Sequence, residues 1–157
     1  MSRLGKRLRT NKELCMNFGM LGAGVVMGLA GIGSAIGIGI AGQGAIGAWK
    51  RCYVNNKPAP ALLTIFAGAP LSQTIYGLLL MQIMKSSTRD PAILLGLGFA
   101  SGLAMAMSAV AQGKAGAAAS DAFGETGKGF SQYLTVVGLC ETVALFAMAF
   151  TMIALLL

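Results

Sequence analysis

Four stretches of this chain are each long enough to cross a bilayer, and none contains a basic residue. They run from Leu14 to Trp49, Pro58 to Met84, Pro91 to Gly113 and Gly129 to Leu157. A helix needs about 20 apolar residues to span the hydrocarbon core. Lipid offers the backbone no hydrogen bonds, so a segment of this length must satisfy its own, and helix does so. The alternating pattern of a barrel strand is absent. The sequence therefore predicts an all-α membrane protein with four transmembrane helices.

Composition removes the competing classes. Charged residues are 11% of the chain and hydrophobic residues 55%, whereas ordinary soluble domains are about a quarter charged. So few charges leave too much surface uncovered for a water-soluble domain of this size. The chain has no histidine, which puts the usual zinc sites and His-dependent triads out of reach. Cys15, Cys52 and Cys140 lie far apart without a CxxC pair and read as isolated small apolar residues. The net charge of +7 sits at the ends of the apolar stretches. It describes loop topology, and no nucleic-acid partner is expected.

The polar joints are short: Lys50 to Lys57, Lys85 to Pro91, and a looser one around Lys114 to Lys128. Asp90-Pro91 marks a helix start. Short joints make neighbouring helices antiparallel. The expected organisation is a basic tail over residues 1–13, a first helical hairpin over 14–84 and a second over 85–157.

The two hairpins are duplicates of one another. Ser34 and Gln112 sit in similar small-residue runs, 78 positions apart, and Gln73-Thr74-Ile75 matches Glu141-Thr142-Val143, 68 positions apart. The offsets differ by 10, the extra length of the first hairpin's loop. A repeat with an even number of spans keeps one orientation in both copies. Glycine and other small residues run almost all the way round the first and third spans, as at Gly24/Gly28, Gly33/Gly37 and Ala35/Gly39. In lipid, small residues let helix backbones approach closely. Small residues on several faces call for tight neighbours on several sides. A homo-oligomeric ring meets that need, with spans one and three inside and the bulkier spans two and four outside.

Glu141 is the single charge within the four stretches, near the middle of the last. An ionised side chain at that depth costs about 2.5–3.5 kcal/mol on insertion scales. A proton, a bound cation or a basic partner must neutralise it, and no span supplies Lys or Arg. Other polar groups lie at comparable depth: Ser72, Gln73, Gln112 and Thr142. Pro70 breaks a helix hydrogen bond and is expected to turn the Ala69 carbonyl inward. The Ala69 carbonyl, the Ser72 hydroxyl, the Gln73 and Gln112 amide oxygens and the Glu141 carboxylate make an all-oxygen set, which suits a hard cation. A hard metal cation is the expected ion and H+ the alternative. Tyr76 lies one turn beyond Gln73 and is expected to hold the acid in place.

These residues fall in four pieces: GIGSAIGIG in the first span, PLSQTIYG in the second, AQGKAGAAA in the third and LCETVALFAM in the fourth. Together they resemble the double-hairpin proteolipid, or K (c-type) subunit, of V-type and archaeal/bacterial-type rotary ATPases, over Phe18 to Leu157. The resemblance implies a ring that turns against a membrane stator subunit supplying an arginine, that meets central-stalk subunits and that is bathed in membrane lipids. The ring itself is not catalytic, because ATP hydrolysis lies on other subunits. Glu141 matches the family's ion-binding carboxylate. Ala69, Ser72, Gln73 and Gln112 match the sodium ligands of bacterial members, and Tyr76 the tyrosine that bonds the acid. Ser72 stands where threonine is usual and keeps the oxygen, while Val143 departs from a common tyrosine. One acid per four helices gives each ion a larger share of the ATP energy, which suits a pump.

The resemblance also implies termini outside, joints Lys50–Lys57 and Lys114–Lys128 in the cytoplasm, and a multi-pass protein of a prokaryotic cell membrane. The basic tail, with Arg3, Lys6, Arg7, Arg9 and Lys12, argues for the opposite orientation by positive-inside counting, or belongs to a cleaved leader. Two other classes fit less. A small ion-coupled drug transporter would surround its glutamate with aromatic residues, which are 7% here. A purely structural pore leaves the glutamate unexplained.

Overall fold

The computed structural model describes the backbone of residues 3–157 and the side chains of residues 18–157. The side chains of the basic tail and of Cys15 lie outside this range. Among the described residues the chain is all helix. The elements are α1 (Arg3–Val54), α2 (Leu63–Gly68), a 3₁₀ turn (Ala69–Leu71), α3 (Ser72–Ser86), α4 (Pro91–Thr126) and α5 (Phe130–Leu156). The described helices form four spans long and apolar enough to cross a membrane, the second made of α2, the turn and α3.

Helix boundaries follow local chemistry. The Asp90 side chain accepts the Ala92 N–H at 2.8 Å, and Pro91 occupies the first helical position. That is a capped start of the expected kind. Pro70 has no N–H to donate, and the second span breaks there into a short helix, a 3₁₀ turn and a longer helix.

One joint is shorter than the charge pattern suggests and another is displaced along the chain. The predicted third joint around Lys114 to Lys128 is helical as far as Thr126, so Lys114, Asp121 and Glu125 stand on α4. Alanines at 115 and 117–119 are strong helix formers, and the helix stops only where Gly127 takes up a left-handed conformation at φ 65°. In the same way α1 continues through Lys50 and Arg51 to Val54. It also passes from residue 13 to 14 without a break. A charge near a membrane boundary does not end a helix that remains well formed in water.

The two small-residue helices, α1 and α4, share the most extensive contact in the molecule. α3 packs on α1, α5 packs on α4, and α3 meets α5. Glycine sets the separation of the central pair. A Cβ on Gly113 would lie 2.5 Å from the Gly37 Cα, and one on Gly44 would lie 2.5 Å from the Ala117 Cα. A Cβ on Gly98 would collide with the Gly22 backbone. Other glycines of α1 face away: Gly24, Gly28, Gly31, Gly39 and Gly42 have open space where a side chain would go.

Each end of the bundle is tied. At the loop end Phe66, Phe123 and Phe130 form an aromatic cluster, and the Trp49 indole donates to the Pro60 carbonyl at 2.8 Å. Arg51 pairs with Asp121 and, at 3.6 Å, with Glu125, joining α1 to α4. At the opposite end the Arg89 Nε donates to the Leu155 carbonyl at 3.3 Å, a cation at the negative terminus of α5.

Candidate ion-binding site

Where α3, α4 and α5 converge, the structure brings together four of the predicted residues. The Tyr76 hydroxyl donates to Glu141 Oε1 at 2.5 Å. The Gln112 Nε2 lies 3.4 Å from Glu141 Oε2 and 3.2 Å from the Val137 carbonyl, and donates to both. The Gln73 Nε2 donates to Gln112 Oε1 at 2.9 Å. A single chain of hydrogen bonds thus runs from Gln73 through Gln112 to the carboxyl, with Tyr76 closing it from the other side. Gln73 and Gln112 are fully buried, whereas Glu141 and Tyr76 are half-buried.

The placement follows from the repeat. Gln73 is the positional twin of Glu141, yet its amide reaches across to the second hairpin's site. The site therefore draws on both halves of the duplication: Gln73 and Tyr76 from the first, Gln112 and Glu141 from the second.

One atom in this network lacks a partner. Gln73 Oε1 is buried and accepts no hydrogen bond. A buried carbonyl oxygen left unpaired costs about 1–3 kcal/mol. Both carboxyl oxygens already accept from donors, and Gln73 Oε1 adds a buried lone pair that no donor uses. No cluster of three or more His, Cys, Asp or Glu exists among the described residues. Any cation held here binds one carboxylate and neutral oxygens, a set suited to a monovalent hard ion rather than a transition metal.

Ala69 lies one turn before Gln73 and Ser72 immediately before it, and the two bond to each other. The Ser72 hydroxyl donates to the Ala69 carbonyl at 3.2 Å, and the Ser72 N–H caps the same carbonyl. Neither makes a hydrogen bond to Glu141 in this arrangement. Thr142 does not join the network: its hydroxyl donates to the Leu139 carbonyl of its own helix at 2.7 Å. That intrahelical bond is the common fate of a threonine hydroxyl in an apolar helix. Cys52 is buried and Cys140 half-buried, and both are free thiols.

Two serines outside the predicted set touch the backbone beside the site. Ser34 Oγ accepts the Thr74 N–H at 3.2 Å, and Ser108 Oγ donates to the Cys140 carbonyl at 2.6 Å. The sequence carried a signal for each. Ser34 is the repeat partner of Gln112, and Ser108 lies one turn from Gln112 on the same helix face.

Residues 95–154, which hold Gln112 and Glu141, match the sequence model of the ATP synthase C-subunit family. The chain is 36% identical over 141 residues to the A-type ATP synthase subunit K of Methanocaldococcus jannaschii, an alignment covering 88% of this chain. The chain spans 60% of that relative's length.

Proposed function

For a chain whose residues 95–154 match the sequence model of the ATP synthase C-subunit family, we propose a rotor-ring subunit that carries Na+ across the membrane on Glu141. The unpartnered Gln73 oxygen is the observation that carries the choice of ion. A proton on Glu141 would neutralise the acid but needs no second amide oxygen. A sodium ion lying between Glu141, Gln73 and Gln112 would satisfy both the charge and the orphaned acceptor. Small side-chain or helix adjustments would then add the Ser72 hydroxyl and the Ala69 carbonyl. H+ is the alternative cargo.

The ring follows from the surface of α1. Its open glycines need close neighbours that this chain does not provide, and identical copies supply them in a closed cycle. In each copy the loaded site is nearly neutral and passes through lipid at low cost. An arginine on a stator subunit would displace the ion into an exit path, and central-stalk subunits would couple rotation to ATP on other chains. The protein thus translocates ions without catalysing a reaction itself. One acid per four helices assigns each ion a larger part of the ATP energy, and lifting a charge against 100 mV takes about 2.3 kcal/mol. This gearing favours pumping. The expected location is a prokaryotic plasma membrane, with the joints at residues 55–62 and 127–129 toward the cytoplasm.

The test is ATP-driven sodium uptake into vesicles carrying the complete rotary complex. Uptake is expected to depend on this subunit and to vanish with Glu141→Gln. Undiminished sodium uptake by the variant overturns the reading, and proton uptake without sodium uptake selects the alternative cargo.

A further inference from the structure

Glu141 and Gln73 sit on outer helices, and each is flanked by a backbone group bonded to a serine on an inner helix. The Thr74 N–H, next to Gln73, lies in the first turn of α3. No carbonyl of α3 itself reaches back to its first turn. Ser34 Oγ, on α1, accepts this N–H at 3.2 Å. On the other side Ser108 Oγ, on α4, donates to the carbonyl of Cys140, next to Glu141, at 2.6 Å. Gln112, one turn along α4, donates to the Val137 carbonyl at 3.2 Å. α5 therefore hangs from α4 by two carbonyls about one turn apart, and α3 is capped from α1. Ser34 and Ser108 are nearly fully buried, at 2% and 4% exposure, so water does not substitute freely for either hydroxyl.

We propose that Ser34 and Ser108 are positioning residues that set ion affinity by fixing the axial rotation of α3 and α5. Neither hydroxyl touches the ion. The lever is angular. Side chains on a helix surface swing with its rotation, and the Gln73 and Glu141 oxygens must converge on one point. α3 meets α5 less extensively than α1 meets α4, so side-chain packing between the outer helices constrains that rotation weakly. Two hydrogen bonds at the residues adjoining the ligands constrain it directly. The inference rests on the reading of Glu141 as the carrying carboxylate.

Ser101 is a built-in control. It lies on α4, is 4% exposed, and donates to the Leu97 carbonyl of its own helix at 2.6 Å. Its removal deletes a similar buried hydroxyl without releasing another helix.

The experiment measures carbodiimide labelling of Glu141 in the purified full-length protein, with and without NaCl. In Ser34→Ala and Ser108→Ala the sodium concentration giving half-protection is expected to rise about tenfold, equivalent to about 1.4 kcal/mol. Ser101→Ala is expected to match the wild type, and Ser108→Thr, which keeps the hydroxyl, to restore most of the loss. Circular dichroism and the oligomeric state in detergent report whether each variant is folded. If an alanine variant fails to fold, cysteine at that position keeps the volume with a weaker hydrogen-bonding group and is expected to give a smaller shift. Folded variants with wild-type half-protection overturn the inference. If sodium protects no form of the protein, the sodium reading fails separately. The serines are then judged by the labelling rate without sodium, expected to change several-fold in Ser34→Ala and Ser108→Ala only; unchanged rates overturn the inference.

Discussion

At the scale of single residues, Glu141 is tolerable in the membrane because its charge is met from several directions. Tyr76 and Gln112 donate to its two oxygens, and these bonds fix the carboxyl in place. Replacing Tyr76 with Phe removes one hydrogen bond to a charged group, worth about 1.5–3 kcal/mol. Sodium affinity, read by titration of the purified protein, is expected to fall by about tenfold or more. Gln73→Leu removes the orphaned oxygen and a donor to Gln112 together, and the same titration is expected to show a larger loss than Tyr76→Phe. A Gln73→Leu protein with unchanged affinity would place the cation elsewhere. Much of this site was legible beforehand. Glu141 stands out as the lone charge, and the repeat points from it to Gln73 and Gln112. Thr142 misled because adjacency in sequence puts a neighbouring residue about 100° round the helix, where its hydroxyl found its own backbone. Ser34 is visible in the sequence only as the repeat counterpart of Gln112, and the bonds of Ser34 and Ser108 stay hidden because main-chain partners leave no mark in the sequence.

At the scale of elements, one proline and a few glycines do most of the shaping. Pro70 divides the second span and starts α3 at Ser72, which gives Gln73 and Tyr76 their direction. Pro70→Ala restores an N–H and is expected to let α2 and α3 join into one regular helix. Sodium affinity should drop while helix content by circular dichroism stays level or rises slightly. At the central pair, Gly113→Val would drive a branched side chain into the Gly37 backbone. Overpacking of this kind typically costs about 1–3 kcal/mol, and a matching loss of thermal stability in detergent is expected. The hydrophobic pattern revealed the number of helices and their order. It gave their ends poorly at Lys50 and Lys114, because helix continues past the point where the apolar stretch stops, to Val54 on α1 and through an alanine-rich run on α4.

At the scale of the whole molecule, α1 is used twice. One face, with Gly22, Gly33, Gly37 and Gly44, closes on α4, while Gly24, Gly28, Gly31, Gly39 and Gly42 remain open. The sequence displayed both sets without distinguishing them, since only the packed fold shows which glycines the chain itself consumes. Gly28→Leu is expected to leave the four-helix bundle folded and to disrupt association between copies. Native mass spectrometry would detect smaller oligomers, whereas a wild-type assembly would contradict the ring packing. The proposed function requires each chain to hold one cation on Glu141 with the help of Gln73 and Gln112. Equilibrium binding of radioactive sodium to the purified protein tests it most directly. One sodium bound per chain, unaffected by excess potassium and absent from Glu141→Gln, is the predicted result; no saturable sodium binding, or equal binding by the variant, would contradict it.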